Sequence, residues 1–211
     1  MLSNAIALLT PAHFIVLGLA YLLGSIPFGL ILTSASGLGD IRKLGSGNVG
    51  ATNVLRTGNK GIALFTLLFD LGKGSLAVLL AYHSYPGIEN NIELSIFAGL
   101  AVVIGHNFPI WINFRGGKGV ATTLGTLLAI AWPVGIATCV TWCIVAITFR
   151  YSSLAAIVSL VASPFYAMYL DREEIFILAT LLAMLAMVRH HRNIRNLITG
   201  NESKIGTKTQ L

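Results

Sequence analysis

Charge is the chain's first scarcity. Only 10% of its 211 residues are Asp, Glu, Lys or Arg, whereas a soluble domain carries roughly 25%. A water-soluble globule is therefore excluded. Acidic residues are scarcer than basic ones, eight against 14, for a formal net charge of +6. The basic residues fall in short clusters between apolar runs, with no basic face and no aromatic-basic interleaving, which argues against nucleic acid as a partner. Cysteine is limited to Cys139 and Cys143. Four apart in an apolar run, they share one helical face and read as packing residues, since neither disulfide nor metal spacing is present. No metal cluster or cofactor motif occurs, so neither is expected. The first apolar run also lacks a cleavable A-x-A pattern and is longer than a signal-peptide core, so it is read as a retained span.

What is abundant is apolar: 55% of residues are hydrophobic and the mean hydropathy is +0.79. The expected class is an all-α integral membrane bundle, one domain over residues 1–211. Runs at 12–35, 61–82, 92–114, 152–170 and 175–188 suit a hydrocarbon core of about 30 Å, which takes about 20 helical residues to cross. Pro27 predicts a kink in the first, and Asp70, Gly72, Lys73 and Gly74 interrupt the second at mid-depth. A loop is expected at 85–91 and another at 171–174. Residues 120–149 fit one long span or two short ones split at Pro133. The retention of Lys and Arg on the cytoplasmic side decides between them. Seven spans with the N-terminus outside place Arg42, Lys43, Arg56, Lys60, Arg115, Lys118, Arg150, Arg189, Arg192, Arg195, Lys204 and Lys208 inside and only Arg172 outside. Residues 189–211 then form a cytoplasmic tail. No internal repeat suggests a two-halved transporter.

Three polar segments carry the chemistry. Residues 44–56, LGSGNVGATNVLR, combine Gly45, Gly47 and Gly50 with Ser46, Asn48, Thr52 and Asn53, and end on Arg56. Glycine lets a backbone turn its N–H groups toward an anion, while hydroxyls, amides and a guanidinium add donors and charge. This is the composition of a phosphate cradle, although neither Walker nor dinucleotide spacing is present. A plain connector between helices has the same composition. The second segment brackets the inner end of the third run, with Gly105, His106 and Asn107 and then Arg115, Gly116, Gly117, Lys118 and Gly119, leading into a helix N-terminus that suits an anion. A positive-inside turn would look similar. The third, RHHRNIRNLITGNE from Arg189, sets His190, Asn193 and Leu197 on one helical face; an amphipathic end lying on anionic lipid is the alternative. Asp70 and Lys73 are costly in lipid and are expected in the bundle interior, either pinning the second helix or closing the cradle from beneath.

The segments GSGNVGATNVLR, GHNFPIWINFRGGKGVAT and RHHRNI with its downstream GNE, in that order, resemble the bacterial acyl-phosphate:glycerol-3-phosphate acyltransferase family. The tail departs mildly, with Asn201 where a small hydroxyl residue is commoner before the glutamate. The resemblance implies a seven-span inner-membrane enzyme with a cytoplasmic active site. It would move an acyl group from acyl phosphate to the 1-hydroxyl of glycerol 3-phosphate, giving lysophosphatidic acid. By position it places Ser46, Asn48, Thr52, Asn53 and Arg56 around the phosphates, with Gly117, Lys118 and nearby His106, and with His190 and Asn193 from the tail. Ser46, Arg56, Lys118, His190 and Asn193 are the expected catalytic set; Gly45, Gly47, Asn48, Gly50, Thr52, Asn53, His106 and Gly117 are the expected substrate-binding set. A soluble enzyme that makes acyl phosphate is a candidate docking partner.

The donor is already activated, so the expected work is to hold two anionic groups together, orient the hydroxyl and stabilise the oxyanion. His190 or a substrate phosphate could take the hydroxyl proton; an acyl-Ser46 intermediate ranks last. Thioester-using glycerophosphate acyltransferases rely on a His-x-x-x-x-Asp pair. Here His106 is followed five residues on by Trp111, His190 by Arg195 and His191 by Asn196, which suits a different donor. Apolar residues such as Phe65, Leu68, Ile104 and Phe108 are candidates to line an acyl groove. The rival class is a small organophosphate or anion transporter, which needs charged sites at mid-membrane reachable from both sides.

Overall fold

A computed structural model describes residues 11–84, 92–170 and 172–207. The expected loop over 85–91, Asp171 of the next loop, and Lys208 with the last residues lie outside the described residues. Among the described residues the secondary structure is helical throughout, with no strand. Helices α1 (Pro11–Ser25) and α2 (Phe28–Ala35) are separated at Pro27, where the missing N–H and the ring break the helical ladder. A single 3-10 turn, Ile41–Lys43, leads to the short α3 (Ala51–Leu55). The long α4 (Lys60–Tyr82) starts where the Asn59 carboxamide oxygen accepts the Ile62 N–H at 3.0 Å. Next come α5 (Ile92–Asn107), α6 (Val120–Ile130), α7 (Trp132–Phe149), α8 (Ser152–Tyr169), α9 (Glu173–Arg189) and α10 (His191–Ile198).

Two expectations are corrected here. Asp70, Gly72, Lys73 and Gly74 do not interrupt their helix, because α4 runs through them unbroken. The glycine there serves packing: a Cβ on Gly74 would stand 2.2 Å from the Thr122 carbonyl oxygen, and one on Gly125 2.0 Å from that of Leu71. Helices α4 and α6 thus cross backbone to backbone, as small residues allow inside membranes. The 120–149 region divides at Ala131 (φ −150, ψ 79), and Pro133 sits in the first turn of α7, where its lost N–H costs no helical bond. A Cβ on Gly135 would lie 2.6 Å from Leu128 Cα. Seven residues along a straight helix would be about 10 Å apart, so the chain reverses and α7 returns beside α6.

Five helical stretches are long and apolar enough to cross a bilayer: Pro11–Ala35, Lys60–Tyr82, Ile92–Ile112, Trp132–Phe149 and Ser152–Tyr169. Joining Glu173–Arg189 to His191–Ile198, bent by 64°, would make a sixth, and Val120–Ile130 is shorter. At 1.5 Å per residue, α6 reaches only about 16 Å. Large apolar side chains cover the exterior, among them Phe65, Leu80 and Ile147, as a surface solvated by lipid requires. In the interior the small residues Ala20, Ala77, Ala81, Ala98 and Val102, with Leu178 and Leu182 filling between them, join α1, α4, α5 and α9. A second cluster of Ile41, Val49, Val54 and Ala63 packs beneath the glycine-rich loop.

Candidate active site

Asn53 organises the first loop. Its Nδ2 lies within donating distance of the carbonyls of Ile41 (3.0 Å), Leu44 (3.0 Å) and Asn48 (2.8 Å), and its Oδ1 accepts the Ser46 N–H at 3.2 Å. The Gly47 N–H donates to the Leu44 carbonyl and the Gly50 N–H to Asn48 Oδ1. These amides are spent on the loop's own shape. On the cleft side the loop presents Ser46, Asn48, Thr52 and Arg56 together with Gly50 and Ala51. Thr52 Oγ1 lies 3.0 Å from Ser152 Oγ on α8, and the Arg56 guanidinium meets the Ser203 hydroxyl from the tail. Gly45 has a positive φ of 51°, and a Cβ there would strike Arg56.

The second loop is held from two sides. The N–H groups of Gly116 and Gly117 donate to the carbonyls of Asn107 (3.2 Å) and His106 (3.0 Å) at the end of α5. The Arg189 guanidinium donates to the carbonyls of both glycines, at 2.9 and 2.8 Å, and lies over the Phe108 ring. This fixes Lys118, whose ammonium donates to Asn193 Oδ1 at 2.6 Å; Asn193 Nδ2 donates to Glu202 Oε1 at 2.7 Å, which also accepts from Ser153 Oγ at 2.7 Å. Burial is the main cause that pulls the Lys118 ammonium down to about 8, opposed by Glu202 and reinforced by Arg56 and Arg189.

His190 stands at the corner between α9 and α10, 2% exposed. Burial first, then the Lys118 charge, pull its imidazole down to about 4, so it is neutral at pH 7. Its Nδ1 is 2.8 Å from the Ala186 carbonyl oxygen. A carbonyl can only accept, so Nδ1 carries the hydrogen and Nε2 keeps a free lone pair.

Beneath the loops, Lys73 Nζ lies 2.9 Å from Asp70 Oδ1 and donates to the carbonyls of Gly24 and Ile26 at 2.9 and 3.0 Å. Those carbonyls flank the α1/α2 break, so the ion pair pins that break to α4. His106 Nδ1 lies 3.5 Å from the same Asp70 oxygen.

All of this surrounds one cleft of about 330 Å³. The cleft brings together Ser46, Asn48, Gly50, Thr52, Asn53, Arg56, His106, Lys118, His190 and Asn193. Gly45, Gly47 and Gly117 of the expected set are not on its wall; Gly45 and Gly47 turn the first loop and Gly117 backs onto His106. Sequence reasoning missed Ser152, Ser153 and Ser203, which belong to no recognisable motif, and left Glu202 without a role. It also read Cys139 and Cys143 as packing residues. With Leu67, Leu71, Leu124 and Trp142 they form the cleft's apolar wall, whereas Phe65, Leu68, Ile104 and Phe108, named as acyl-groove candidates, are not on it. The i, i+3, i+4 spacing of Cys139, Trp142 and Cys143 was the available signal, since it sets all three on one face.

A family model described as glycerol-3-phosphate acyltransferase matches residues 14–200. A glycerol-3-phosphate acyltransferase of Rhodospirillum rubrum is 56% identical over 191 residues, 89% of this chain and 88% of that protein. One of Paramagnetospirillum magneticum is 55% identical over 188 residues, 89% of this chain and 91% of its own. Among solved structures, PlsY (YgiH), an integral membrane glycerol 3-phosphate acyltransferase, superposes in its glycerol 3-phosphate form with a TM-score of 0.86 at 35% identity, covering 93% of this chain and 96% of that one. Its lysophosphatidic acid form gives a TM-score of 0.83 at 34% identity.

Proposed function

The chain belongs to the glycerol-3-phosphate acyltransferase family, and from that premise we propose that it transfers a fatty acyl group from acyl phosphate to the 1-hydroxyl of glycerol 3-phosphate. The products are lysophosphatidic acid and inorganic phosphate, in the first acylation of phospholipid synthesis. One observation carries the reading: Arg56, Lys118 and His190, from three distant segments, line the same cleft, and that cleft continues into an apolar wall. Two phosphates need at least two cations, and an acyl chain needs an apolar surface.

In this mechanism Arg56 and Lys118 hold the phosphoryl groups, while Ser46, Thr52 and Asn193 direct hydrogen bonds at their oxygens. The glycerol hydroxyl attacks the acyl carbon as its proton passes to a substrate phosphate, charge passes to the carbonyl oxygen, and the carbonyl re-forms as the carbon–oxygen bond to phosphate breaks, the proton ending on the released group as hydrogen phosphate. The fixed cations stabilise both the oxyanion and the departing phosphate. His190 at about 4 is a weaker base than a phosphate monoester, whose second pKa is about 6. A substrate phosphate is therefore the better proton acceptor, and the free Nε2 of His190 orients the hydroxyl. Ser46 acts as a donor; its hydroxyl makes no bond to a histidine among the described residues. The acyl chain lies along Leu67, Leu71, Leu124, Cys139 and Trp142.

The same proposal sets seven membrane segments in a bacterial inner membrane, the N-terminus outside and the cleft and tail in the cytoplasm, with the cytoplasmic loops open to a soluble acyl-phosphate-producing enzyme. The anion-transporter alternative is disfavoured, because the cationic side chains gather at one end of the bundle. The test uses purified protein in detergent with glycerol 3-phosphate and either acyl phosphate or acyl-CoA. Lysophosphatidic acid should form from acyl phosphate only, and Arg56→Ala and Lys118→Ala should each remove most of it. Full turnover in both variants would refute the site, and uptake of glycerol 3-phosphate into sealed vesicles without acyl phosphate would favour the transporter.

A further inference from the structure

We propose that Asp70, acting through His106, is a positioning residue that sets the Gly117–Lys118 segment, and hence the Lys118 ammonium, for phosphate binding. The inference rests on the acyltransferase reading above. It starts from a steric fact: a Cβ on Gly117 would stand 2.0 Å from His106 Nε2, with Cε1 and Cδ2 at 2.8 and 2.9 Å. The imidazole occupies the space that any side chain at 117 would need, and the backbone one residue before Lys118 rests against the ring.

The backbone of His106 and its ring face different partners. The His106 carbonyl accepts the Gly117 N–H at 3.0 Å, and His106 Nδ1 faces Asp70 Oδ1 at 3.5 Å. Asp70, Lys73 and His106 are 2%, 3% and 6% exposed. A carboxylate facing Nδ1 favours the tautomer with the hydrogen there and fixes the plane of the ring, as an outer-shell acid does for a working histidine. His106 thus serves as a wedge under the loop rather than as a phosphate donor. Asp70 has two tasks that can be separated: it neutralises Lys73, and it anchors His106.

Removing Asp70 alone would leave Lys73 buried and unpaired, which threatens folding. The experiment therefore removes both charges. Asp70→Leu with Lys73→Met replaces the ion pair by apolar side chains, an exchange that buried pairs often tolerate. Asp70→Asn with Lys73→Met is identical except that position 70 keeps an oxygen able to accept from Nδ1. Steady-state kinetics in detergent should show the Leu variant with KM for the phosphorylated substrates raised roughly tenfold relative to the Asn variant, about 1.4 kcal/mol of binding, and kcat changed much less. Equal KM in the two variants, raised or not, would overturn the proposal, because a merely structural role of the pair makes no distinction between them. A second measurement does not depend on position 70. Gly117→Ala should lose most activity alone and regain part of it in combination with His106→Ala, which vacates the colliding ring. Strict additivity of the two losses would overturn the wedge.

Discussion

At the scale of single residues, proton affinities make the sharpest predictions. The Lys118 ammonium sits at about 8 instead of 10.5, so the unliganded site loses a cation as pH rises through about 8. KM for the phosphorylated substrates should climb above that pH, and Lys118→Arg, which stays charged, should abolish the climb while lowering kcat through the altered contact to Asn193. Glu202→Gln removes the charge that opposes this fall, and should move the climb to lower pH. For stability, the unfolded lysine binds a proton between about 8 and 10.5 that the folded one does not, so this group makes the fold more stable as pH rises through that window. His190 gives the same sign between about 4 and 6.5: acidification through that range costs stability. Of the residues on the cleft wall, Arg56, Lys118, His190 and Asn193 were legible through the ordered three-motif resemblance, because charge beside glycine or polar residues taken alone suits a positive-inside turn or a lipid-lying end equally well. Glu202 and Ser153 were not: Glu202 accepts from Asn193 nine residues away and from Ser153 49 residues away, and the second contact is one that no local pattern encodes.

At the scale of helices, hydrophobic runs fixed where segments lie but not where they break. Pro27 separates α1 from α2 as its chemistry demands, whereas Pro133 proved a helix start, because proline is as well suited to a first turn as to a break. The glycines of α4 looked like an interruption, yet Gly74 exists so that α6 can approach, a partner that a single run does not reveal. The crossing makes its own prediction. Gly125→Val would push a branched side chain against the Leu71 carbonyl, which a Cβ alone would approach to 2.0 Å. The variant should lose about 1–3 kcal/mol of stability, the usual cost of overpacking, seen as a lower midpoint of thermal unfolding in detergent. Gly72, with open space around the position of its Cβ, should accept alanine with little change or a slight gain. A similar loss at both positions would mean that α4 and α6 do not cross as described.

At the scale of the whole molecule, the question is which way the bundle faces. The cleft end carries Arg56, Lys118, Arg150 and Arg189, tied together by the contacts of Arg150 with Ile205, Arg189 with Gly117 and Lys118 with Asn193. Arg172 follows α8, which starts at the cleft with Ser152 and runs 18 residues, a rise of about 27 Å, so it stands at the opposite end. Lys and Arg are retained on the cytoplasmic side of short loops, and this asymmetry supports the proposed topology, in which the cleft faces inward. The two native thiols lie on α7, so a cysteine-free background leaves the loops clean for labelling. In that background a single cysteine at Lys60 should react with a membrane-impermeant maleimide only in inside-out vesicles, and one at Arg172 only in right-side-out vesicles. Labelling of both from the same side would require an even number of crossings between them. Five helices, α4 to α8, separate the two positions, so that result would mean that the short α6 and its partner α7 together make one crossing instead of a crossing and a return, and it would set Arg150 on the side of the bilayer opposite Lys60.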